Sequence, residues 1–387
     1  MDRYVKSLDG LRGFGIFFVL FYHYFGSHAQ PWLGFSWIWV QMFFVQSGYL
    51  ITNLLLADKA STFPDYAKRF YWRRAVRIFP PYVAYLAVFM LAYALFRKPG
   101  DFLIHLPYLA TYTYNFTRLV PGFPENCYFV HLWSLAVEEQ FYLIWPFVIF
   151  FFNRRQLRYV IVAFVFLAPI GRGILAAYLT RHHWFAGVPP IYGTFAVGEA
   201  TYGFTLSQWD AFAYGAAIPL FNLAERIKRP GRWAVLMVGI TLAAGLGNFL
   251  LMRWQGAAPE PTALGLALAT TSNWQHVWSY SLVNFMFMFV ILHVTRPTYH
   301  GLFAAFPFVR IGKIVYGLYI YHFAIVLIVR RVSWHYHVNQ ALSFVVSCVL
   351  SLLVAHVSYD YFEKKLLPLK DRWGKHWARM AYKPSDL

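Results

Sequence analysis

The feature that most constrains this 387-residue chain is a series of apolar runs, each roughly 17 to 22 residues long, separated by short polar segments. A helix of about 20 residues crosses the hydrocarbon core of a bilayer, whereas a barrel strand needs about 10 residues of alternating polarity, and no such alternation is present. With 59% hydrophobic and 13% charged residues, one globular domain would lack the polar surface that solvation requires. The sequence therefore predicts an all-α, polytopic membrane protein embedded in a lipid bilayer.

We predict a bundle of about ten transmembrane helices. Lys and Arg set its orientation, because short loops rich in these residues stay in the cytoplasm. With the N-terminus inside, 26 of the 34 basic residues fall on the cytoplasmic side, and both termini are expected there. The predicted spans cover residues 13–30, 36–56, 80–96, 132–152, 159–179, 209–224, 233–252, 280–295, 314–330 and 340–359.

The domain organisation follows from the absence of linkers and repeats. Residues 1–360 are predicted to form one membrane domain, followed by a short basic cytoplasmic tail at 361–387, with no soluble catalytic domain appended. Residues 102–118 are apolar, but another crossing there would move the basic cluster at 154–158 to the outside. We therefore expect 102–118 to be a re-entrant or interfacial segment on the outer side.

The net charge of +18 is explained by the same topology, because basic residues at cytoplasmic helix ends interact with anionic lipid. Nucleic acid is therefore not expected as a partner. No Cys and His spacing typical of a metal site is present, so no metal is expected either. Cys127 and Cys348 are predicted at different membrane depths, which argues against a disulfide between them.

The first predicted helix carries two candidate functional residues on one face. Arg12 and His23 are separated by eleven positions, which brings them to within about 20° of the same face and about 16 Å apart along the axis. A cation would then lie at the cytoplasmic mouth and an imidazole near the middle of the membrane. The alternative is that Arg12 is a topological anchor and His23 a packing residue.

Two adjacent carboxylates lie within the apolar span that begins near residue 132. Glu138 and Glu139 would lie about 10 to 12 Å deep, close to the depth of His23, and a carboxylate beside an imidazole can make it a general base. The alternative is a structural pair between a Glu and a buried arginine such as Arg172. His131, Ser134 and Glu138 share one helix face, but residues side by side on one helix cannot easily converge as a nucleophilic triad.

The connection before residue 80 carries a cluster of arginines, namely Arg73, Arg74 and Arg77. Arg74 and Arg77 share a helix face, and guanidinium groups at this spacing can bind phosphate oxygens through paired hydrogen bonds. Arginines at a cytoplasmic helix end are also expected from topology alone, and the residues by themselves leave both interpretations open.

Four segments in this order resemble the acyltransferase-3 family of membrane O-acyltransferases. They are LDGLRG at 8–13 with His23, FFVQSGYLIT at 43–52, the arginines at 74–77, and HLWSLAVEEQFYLIWP at 131–146. DAFAYG at 210–215, which begins with Asp210, and GKIVYGLYIYH at 312–322 are looser matches. The resemblance extends over about residues 4 to 365. Gln46 and Ala136 depart from the family pattern, and neither removes a group that the chemistry needs.

The resemblance implies transfer of an acyl group, most often acetyl, from cytoplasmic acyl-CoA to a hydroxyl of a saccharide, glycoside or lipid-linked sugar. It implies a polysaccharide-modifying enzyme of the bacterial cytoplasmic (inner) membrane, with acetyl-CoA or another acyl-CoA as donor and no metal. The family motif maps onto Arg12, His23, Arg74 and Arg77. Some relatives carry an added hydrolase-like domain, and its absence from this sequence favours direct acylation of the acceptor.

The sequence and the resemblance together predict one mechanism. The arginines hold the phosphates of CoA, the pantetheine arm extends along the bundle, and His23, oriented by Glu138 or Glu139, removes the acceptor proton. Ser47, Tyr321 and His322 are candidates for the donor to the tetrahedral oxyanion, by depth alone. A covalent acyl-histidine is the mechanistic alternative.

A transporter or flippase for a sugar or lipid-linked substrate is the alternative from another functional class, because buried Glu, His and Arg can also form a proton-coupled path. It predicts inverted repeats and matched helices broken by Gly or Pro, and the sequence contains neither. The oligomeric state cannot be read from the sequence.

Overall fold

The computed structural model describes residues 5–25, 34–96, 102–124, 126–187 and 190–369, which contain helices and no strand. The α-helices are α1 (Lys6–Phe25), α2 (Ile38–Asp58), α3 (Phe63–Phe96), α4 (Phe102–Ala110), α5 (Trp133–Phe151), α6 (Arg154–Arg181), α7 (Pro190–Gly203), α8 (Trp209–Leu220), α9 (Leu223–Arg226), α10 (Pro230–Trp254), α11 (Gln275–Val294), α12 (Phe306–His335), α13 (Gln340–Ser358) and α14 (Lys364–Leu366). Short 3₁₀ segments include Tyr114–Leu119 and Thr205–Gln208, and a π-helical turn covers Tyr359–Glu363.

Eight helices in the described part of the chain are long and apolar enough to cross a membrane. They coincide with eight of the ten predicted spans, and the chain is a multi-pass, all-helical membrane protein. Their ends differ from the predicted ones most strongly in α3, which has 34 residues. It begins at Phe63 instead of residue 80, because Pro80 and Pro81 are accommodated inside the helix.

The other two predicted spans differ from the observed helices. α1 has 20 residues, about 30 Å, and the last positions of the span predicted at 13–30 lie outside the described residues. α8 has only 12 residues, about 18 Å, and ends before Asn222, whose φ of 54° breaks the helix. Because α8 is shorter than the hydrocarbon core, it does not by itself form the complete crossing that was predicted for residues 209–224.

Residues 102–118 contain α4, which has nine residues, followed by a turn and the 3₁₀ segment Tyr114–Leu119. A helix of about 14 Å cannot cross the hydrocarbon core, so this stretch provides no further crossing by itself. Helix α7 is an element that the sequence analysis did not predict. Of the predicted tail, residues 361–369 are helical or turn, and 370–387 lie outside the described residues.

The chain divides into two compact units. The first comprises residues 1–54 and 103–313, and the second residues 55–102 and 314–387. The core of the first unit is aromatic: the Phe141 ring of α5 stacks on the Phe212 ring of α8 at 4.1 Å between centroids, and Phe44 of α2 packs on Phe212 at 5.1 Å. These contacts bring α2, α5 and α8 together.

Glycines allow two of these helices to approach backbone to backbone. A Cβ on Gly48 of α2 would lie 2.1 Å from the carbonyl oxygen of Phe212, and a Cβ on Gly215 of α8 would lie 1.9 Å from that of Val45. Both distances are shorter than any real contact, so only glycine fits at either position. Small residues at such positions are how membrane helices pack closely without a hydrophobic driving force.

In the second unit, a hydrogen bond joins α3 to the last described residue, Leu369. The indole of Trp72 donates to the carbonyl of Leu369 at 3.0 Å, and Arg69 binds both carboxylate oxygens of Asp58 at 2.9 Å. Tyr321 of α12 and Ser358 of α13 lie 3.0 Å apart through their hydroxyl oxygens. The second unit thus contains the arginine cluster but not His23 or Glu138.

The packing of α2 against α8 predicts the effect of Gly48→Ala and Gly215→Ala. Each added methyl group would force the two helices apart, which destabilises the protein by about 1–3 kcal/mol, the usual range for overpacking. Gly239→Ala in α10 is the matched control, because a Cβ there has no atom within 4 Å. Because Ala is the better helix former, Gly239→Ala should leave the thermal midpoint in detergent equal or higher. Equal midpoints for all three variants would contradict this close packing.

Candidate active site in the membrane

Helix α1 is continuous between Arg12 and His23, as the sequence analysis predicted. The two residues are therefore about 16 Å apart along one axis and lie on nearly the same face. Both side chains are half-buried. One helix thus presents a cation and an imidazole at opposite ends.

Glu138 is held by two hydroxyl groups. Ser47 of α2 and Tyr142 of α5 both donate hydrogen bonds to its Oε1, and Tyr142 also donates to Ser47 Oγ at 3.2 Å. Hydrogen bonds to a carboxylate fix its orientation. Ser47, Glu138 and Tyr142 are hereafter called the carboxylate clamp. It joins α2 to α5 at a defined point in the first unit.

A second hydrogen bond joins the same two helices about one turn further along. The indole of Trp145 donates to Thr52 Oγ1 at 2.9 Å, and both residues are buried. This hydrogen bond contains no ionisable group. Its role is therefore to pack α2 against α5, and it takes no part in proton transfer.

The residues after Glu138 connect α5 to the segment around 112–115. Glu139 is half-buried, and the next residue, Gln140, donates to the carbonyl of Tyr112 at 2.7 Å and to Asn115 Oδ1 at 2.9 Å. Asn115 in turn donates to Thr205 Oγ1 at 3.0 Å. The acidic pair is thus followed by a polar network that fixes the 3₁₀ segments on either side of α5.

Arg172 and Asp210 form a completely buried ion pair between α6 and α8. The guanidinium contacts both carboxylate oxygens, at 3.1 and 3.0 Å, and both side chains have no exposed surface. Ser281 of α11 donates to Asp210 at 2.6 Å and also accepts from Arg172 at 2.6 Å. The alternative pairing of Arg172 with an acidic residue of α5 is therefore not formed, because Asp210 occupies the guanidinium.

The arginine cluster lies on α3 in the second unit. Residues 73–77 are helical, so Arg74 and Arg77 do share a face, and Arg74 lies 5.8 Å from the ring centroid of Phe70. Lys59, just before α3, has a pKa lowered by the desolvation that accompanies burial. Several cations are therefore concentrated at the start of α3, together with Arg73.

The remaining candidates are already engaged in hydrogen bonds. Ser134 donates to the carbonyl of His131 at 3.3 Å on its own helix. The Tyr321 hydroxyl pairs with Ser358, and His322 is buried with its Nδ1 2.7 Å from the carbonyl of Tyr319. Tyr321 and His322 belong to the second unit and the carboxylate clamp to the first.

A family model described as an acyltransferase domain (Acyl_transf_3) matches residues 5–360 of this chain. The chain belongs to the acyltransferase-3 family. The match covers both compact units, so the carboxylate clamp, α1 and the arginine cluster all fall within the family's domain.

Curated relatives of this acyltransferase-3 chain have O-acetyltransferase names. It is 28% identical over 406 aligned residues to "O-acetyltransferase OatA" of Staphylococcus aureus strain MRSA252, covering 100% of this chain and 60% of that protein. It is 25% identical to "Putative O-acetyltransferase SACOL0978" of S. aureus strain COL, covering 93% and 57%. The chain thus spans about 60% of the length of the curated relatives it matches. No solved structure matches it significantly.

Sequence reasoning missed two features of this acyltransferase-3 domain. Tyr142 follows Glu138 by four positions, the spacing at which helix side chains meet, so its role in the carboxylate clamp was readable from the sequence. The ion pair between Arg118 and Glu199 could not be read from the sequence. Arg118 lies on the 3₁₀ segment at 114–119 and Glu199 on α7, far apart in the chain. That pair is only partly exposed, and Arg118 also lies 5.1 Å from the Trp133 ring centroid.

Because Arg172 and Asp210 are buried, we expect the stability of the protein to depend strongly on both residues. Arg172→Met or Asp210→Leu alone leaves one uncompensated charge inside the membrane domain and should destabilise it by about 3–5 kcal/mol. The double variant removes both charges and should recover much of that loss. A double-mutant cycle on thermal unfolding in detergent measures the coupling, and strictly additive losses would show that the pair is not coupled.

Proposed function

We propose that this chain is a membrane O-acetyltransferase that moves an acetyl group from cytoplasmic acetyl-CoA to a hydroxyl of a saccharide acceptor. The arrangement of Arg12 and His23 on one continuous helix carries the proposal, since it offers a cation for the donor's phosphates and a base about 16 Å away. Membership of the acyltransferase-3 family and the names of the relatives support the same reaction. The enzyme is proposed to act in the cytoplasmic membrane, with the N-terminal end of α1 on the inner side.

The transfer is a direct displacement at the thioester. His23 takes the proton of the acceptor hydroxyl as its oxygen attacks the thioester carbonyl, and the resulting tetrahedral oxyanion collapses with loss of the C–S bond. The imidazolium then returns the proton to the CoA thiolate. A carboxylate near the base stabilises the imidazolium, and Glu139 or the clamped Glu138 is proposed for this role.

The donor is proposed to bind through the arginines. Arg74 and Arg77, with Arg73, would contact the phosphates and nucleotide of CoA, because guanidinium groups bind phosphate oxygens with paired hydrogen bonds. The cluster lies inside α3, ahead of the apolar stretch that begins after Arg77, and this position supports a role at the membrane surface.

The first prediction concerns donor binding by the detergent-purified protein. Acetyl-CoA and CoA should raise its thermal midpoint saturably, corresponding to about 2.7 kcal/mol at a hundredfold excess over Kd. Arg74→Ala/Arg77→Ala should lose this stabilisation, because the phosphates lose their partners. His23→Ala should keep it and lose transfer activity, because His23 acts on the acceptor.

Arg154→Ala is the matched control for charge. Arg154 is a basic residue on the predicted cytoplasmic side, and its guanidinium already donates to the carbonyl of Pro219 at 2.7 Å. The stabilisation by acetyl-CoA should therefore persist in this variant. A folded wild-type protein that no acyl-CoA stabilises would contradict the donor assignment.

The second prediction concerns the carboxylate clamp. Tyr142→Phe and Ser47→Ala each remove one donor to Glu138, a charge-assisted hydrogen bond worth about 1.5–3 kcal/mol. We expect kcat for acetyl transfer to fall about 10- to 100-fold while the KM for acetyl-CoA changes little. Ser47→Thr, which keeps the hydroxyl, should restore most of kcat.

Thr52→Val is the control for the clamp variants. It removes the other hydrogen bond between α2 and α5, the one from Trp145. It should lower the thermal midpoint through the loss of about 1 kcal/mol and leave kcat within about twofold. If Thr52→Val lowers kcat as much as Tyr142→Phe does, the clamp serves helix packing alone.

A further inference from the structure

One face of α11 carries polar side chains that the proposed reaction does not use. His276, Ser279, Tyr280 and Asn284 follow the spacing of neighbours on one helix face, and each is at most 3% exposed. We call these four residues the α11 polar face. A stripe of polar groups buried inside a membrane domain is costly unless those groups are satisfied, so its presence indicates a function.

Part of this face has no hydrogen-bond partner among the described residues. That part is the Ser279 hydroxyl and both side-chain amide atoms of Asn284. By contrast, Ser281, two residues from Ser279, is fully engaged with the Arg172 and Asp210 pair. Because buried polar groups are normally hydrogen-bonded, these atoms are candidates to bind a polar ligand.

Helix α2 contributes a further unpaired atom at the same depth. Trp37 and Tyr280 pack with ring centroids 5.1 Å apart, and Trp39 packs on Phe287, so α2 and α11 run side by side from that point. Gln41 lies four residues after Trp37, and Asn284 lies four residues after Tyr280, so each is about one helical turn beyond the contact between Trp37 and Tyr280. The amide of Gln41 donates to Gln208 at 2.8 Å, but its Oε1 has no partner among the described residues.

Contacts with α1 place this face at the depth of His23. Ser7 near the start of α1 donates to the carbonyl of Val294 at the end of α11, so the two helices are antiparallel. Counting about 1.5 Å per residue from the Ser7 contact, Ser279 is level with Tyr22, the neighbour of His23.

The chemistry of these groups selects the ligand. Hydroxyl and amide groups both donate and accept hydrogen bonds, and the face carries no carboxylate, ammonium or guanidinium group. Arg172 lies 5.4 Å from the Tyr280 ring centroid, but Asp210 already neutralises it, so a phosphate or carboxylate ligand would bring an uncompensated charge. An acyl chain would leave the polar atoms unpaired. A ligand rich in uncharged hydroxyl groups satisfies both requirements.

We propose that the α11 polar face, with Gln41, binds the uncharged, hydroxyl-rich portion of the acceptor, a saccharide or polyol, beside His23. This inference rests on the proposed O-acetyltransferase function. The face would orient one hydroxyl toward the imidazole while its unpaired hydroxyl and amide groups bind the neighbouring hydroxyl groups.

Cysteine labelling tests whether the face is open to a polar ligand. In a Cys127→Ser/Cys348→Ser background, Ser279→Cys and Asn284→Cys should react with a hydrophilic methanethiosulfonate reagent in membranes. Phe289→Cys, a buried apolar position on the opposite face of the same helix, should react at least tenfold more slowly. Equal, slow reaction at 279, 284 and 289, with rapid labelling of Trp254→Cys as the exposed reference, would overturn the proposal.

Labelling followed by an activity assay distinguishes a saccharide site from a water-filled passage. Membranes are supplied with radiolabelled acetyl-CoA, and base-labile label in their envelope saccharide is counted. After labelling of Ser279→Cys, incorporation of acetyl label should fall at least tenfold, while acetyl-CoA should still stabilise the protein against heat. Labelling that leaves incorporation unchanged identifies a water-filled passage and overturns the proposal.

Substitutions provide a second and independent test. Asn284→Leu and Ser279→Ala remove unpaired polar atoms, so the thermal midpoint without acceptor should stay equal or rise, while incorporation falls at least tenfold. Ser281→Ala should do the opposite: a lower midpoint, and incorporation per folded protein within about twofold. A lowered midpoint with unchanged incorporation for Asn284→Leu would show a purely structural role.

The O-acetyltransferase function and the acceptor site on α11 can be disproved separately. If acetyl-CoA neither stabilises the wild-type protein nor labels envelope saccharide, the O-acetyltransferase function and the acceptor role fall together. If wild type is stabilised and active while the α11 variants match it, only the acceptor site is wrong.

Discussion

The buried pair of Arg172 and Asp210 is the interaction on which the first unit depends, because it connects three helices inside a low-dielectric interior. Arg172 belongs to α6, Asp210 to α8, and Ser281 of α11 bonds to both. A charge in this environment is tolerated only when an opposite charge and further hydrogen bonds compensate it. The pair therefore fixes α8 against two neighbours despite the short length of that helix.

The position of α8 in turn determines the carboxylate clamp. α8 meets α2 through Gly48 and Gly215, where the backbones are too close for any side chain. α2 then presents Ser47, the residue before Gly48, to Glu138 of α5. A structural ion pair, a glycine contact and a clamped carboxylate are thus successive links between helices, and a change in any one of them is expected to affect the orientation of Glu138.

Much of the fold could be predicted because hydrocarbon imposes a simple rule on the sequence. Eight predicted spans coincide with long apolar helices, and α1 is continuous from Arg12 to His23 as its spacing required. The rule fails for α7 and α8, because short helices that pair within the protein are as apolar as spanning ones. Apolar composition alone could not separate them, and α8 ends just before Asn222, whose backbone is in the left-handed region.

The sequence by itself determined the class of this protein, its family and the order of the residues that carry the proposed chemistry, since apolar length and local motifs are written along the chain. Only the tertiary structure decided the partners. Arg172 pairs with Asp210 instead of an acidic residue of α5, and Glu138 is held by Ser47 and Tyr142. The physical reason is that a buried polar group must find its complement in space, on another helix, at a distance in sequence that no periodicity encodes.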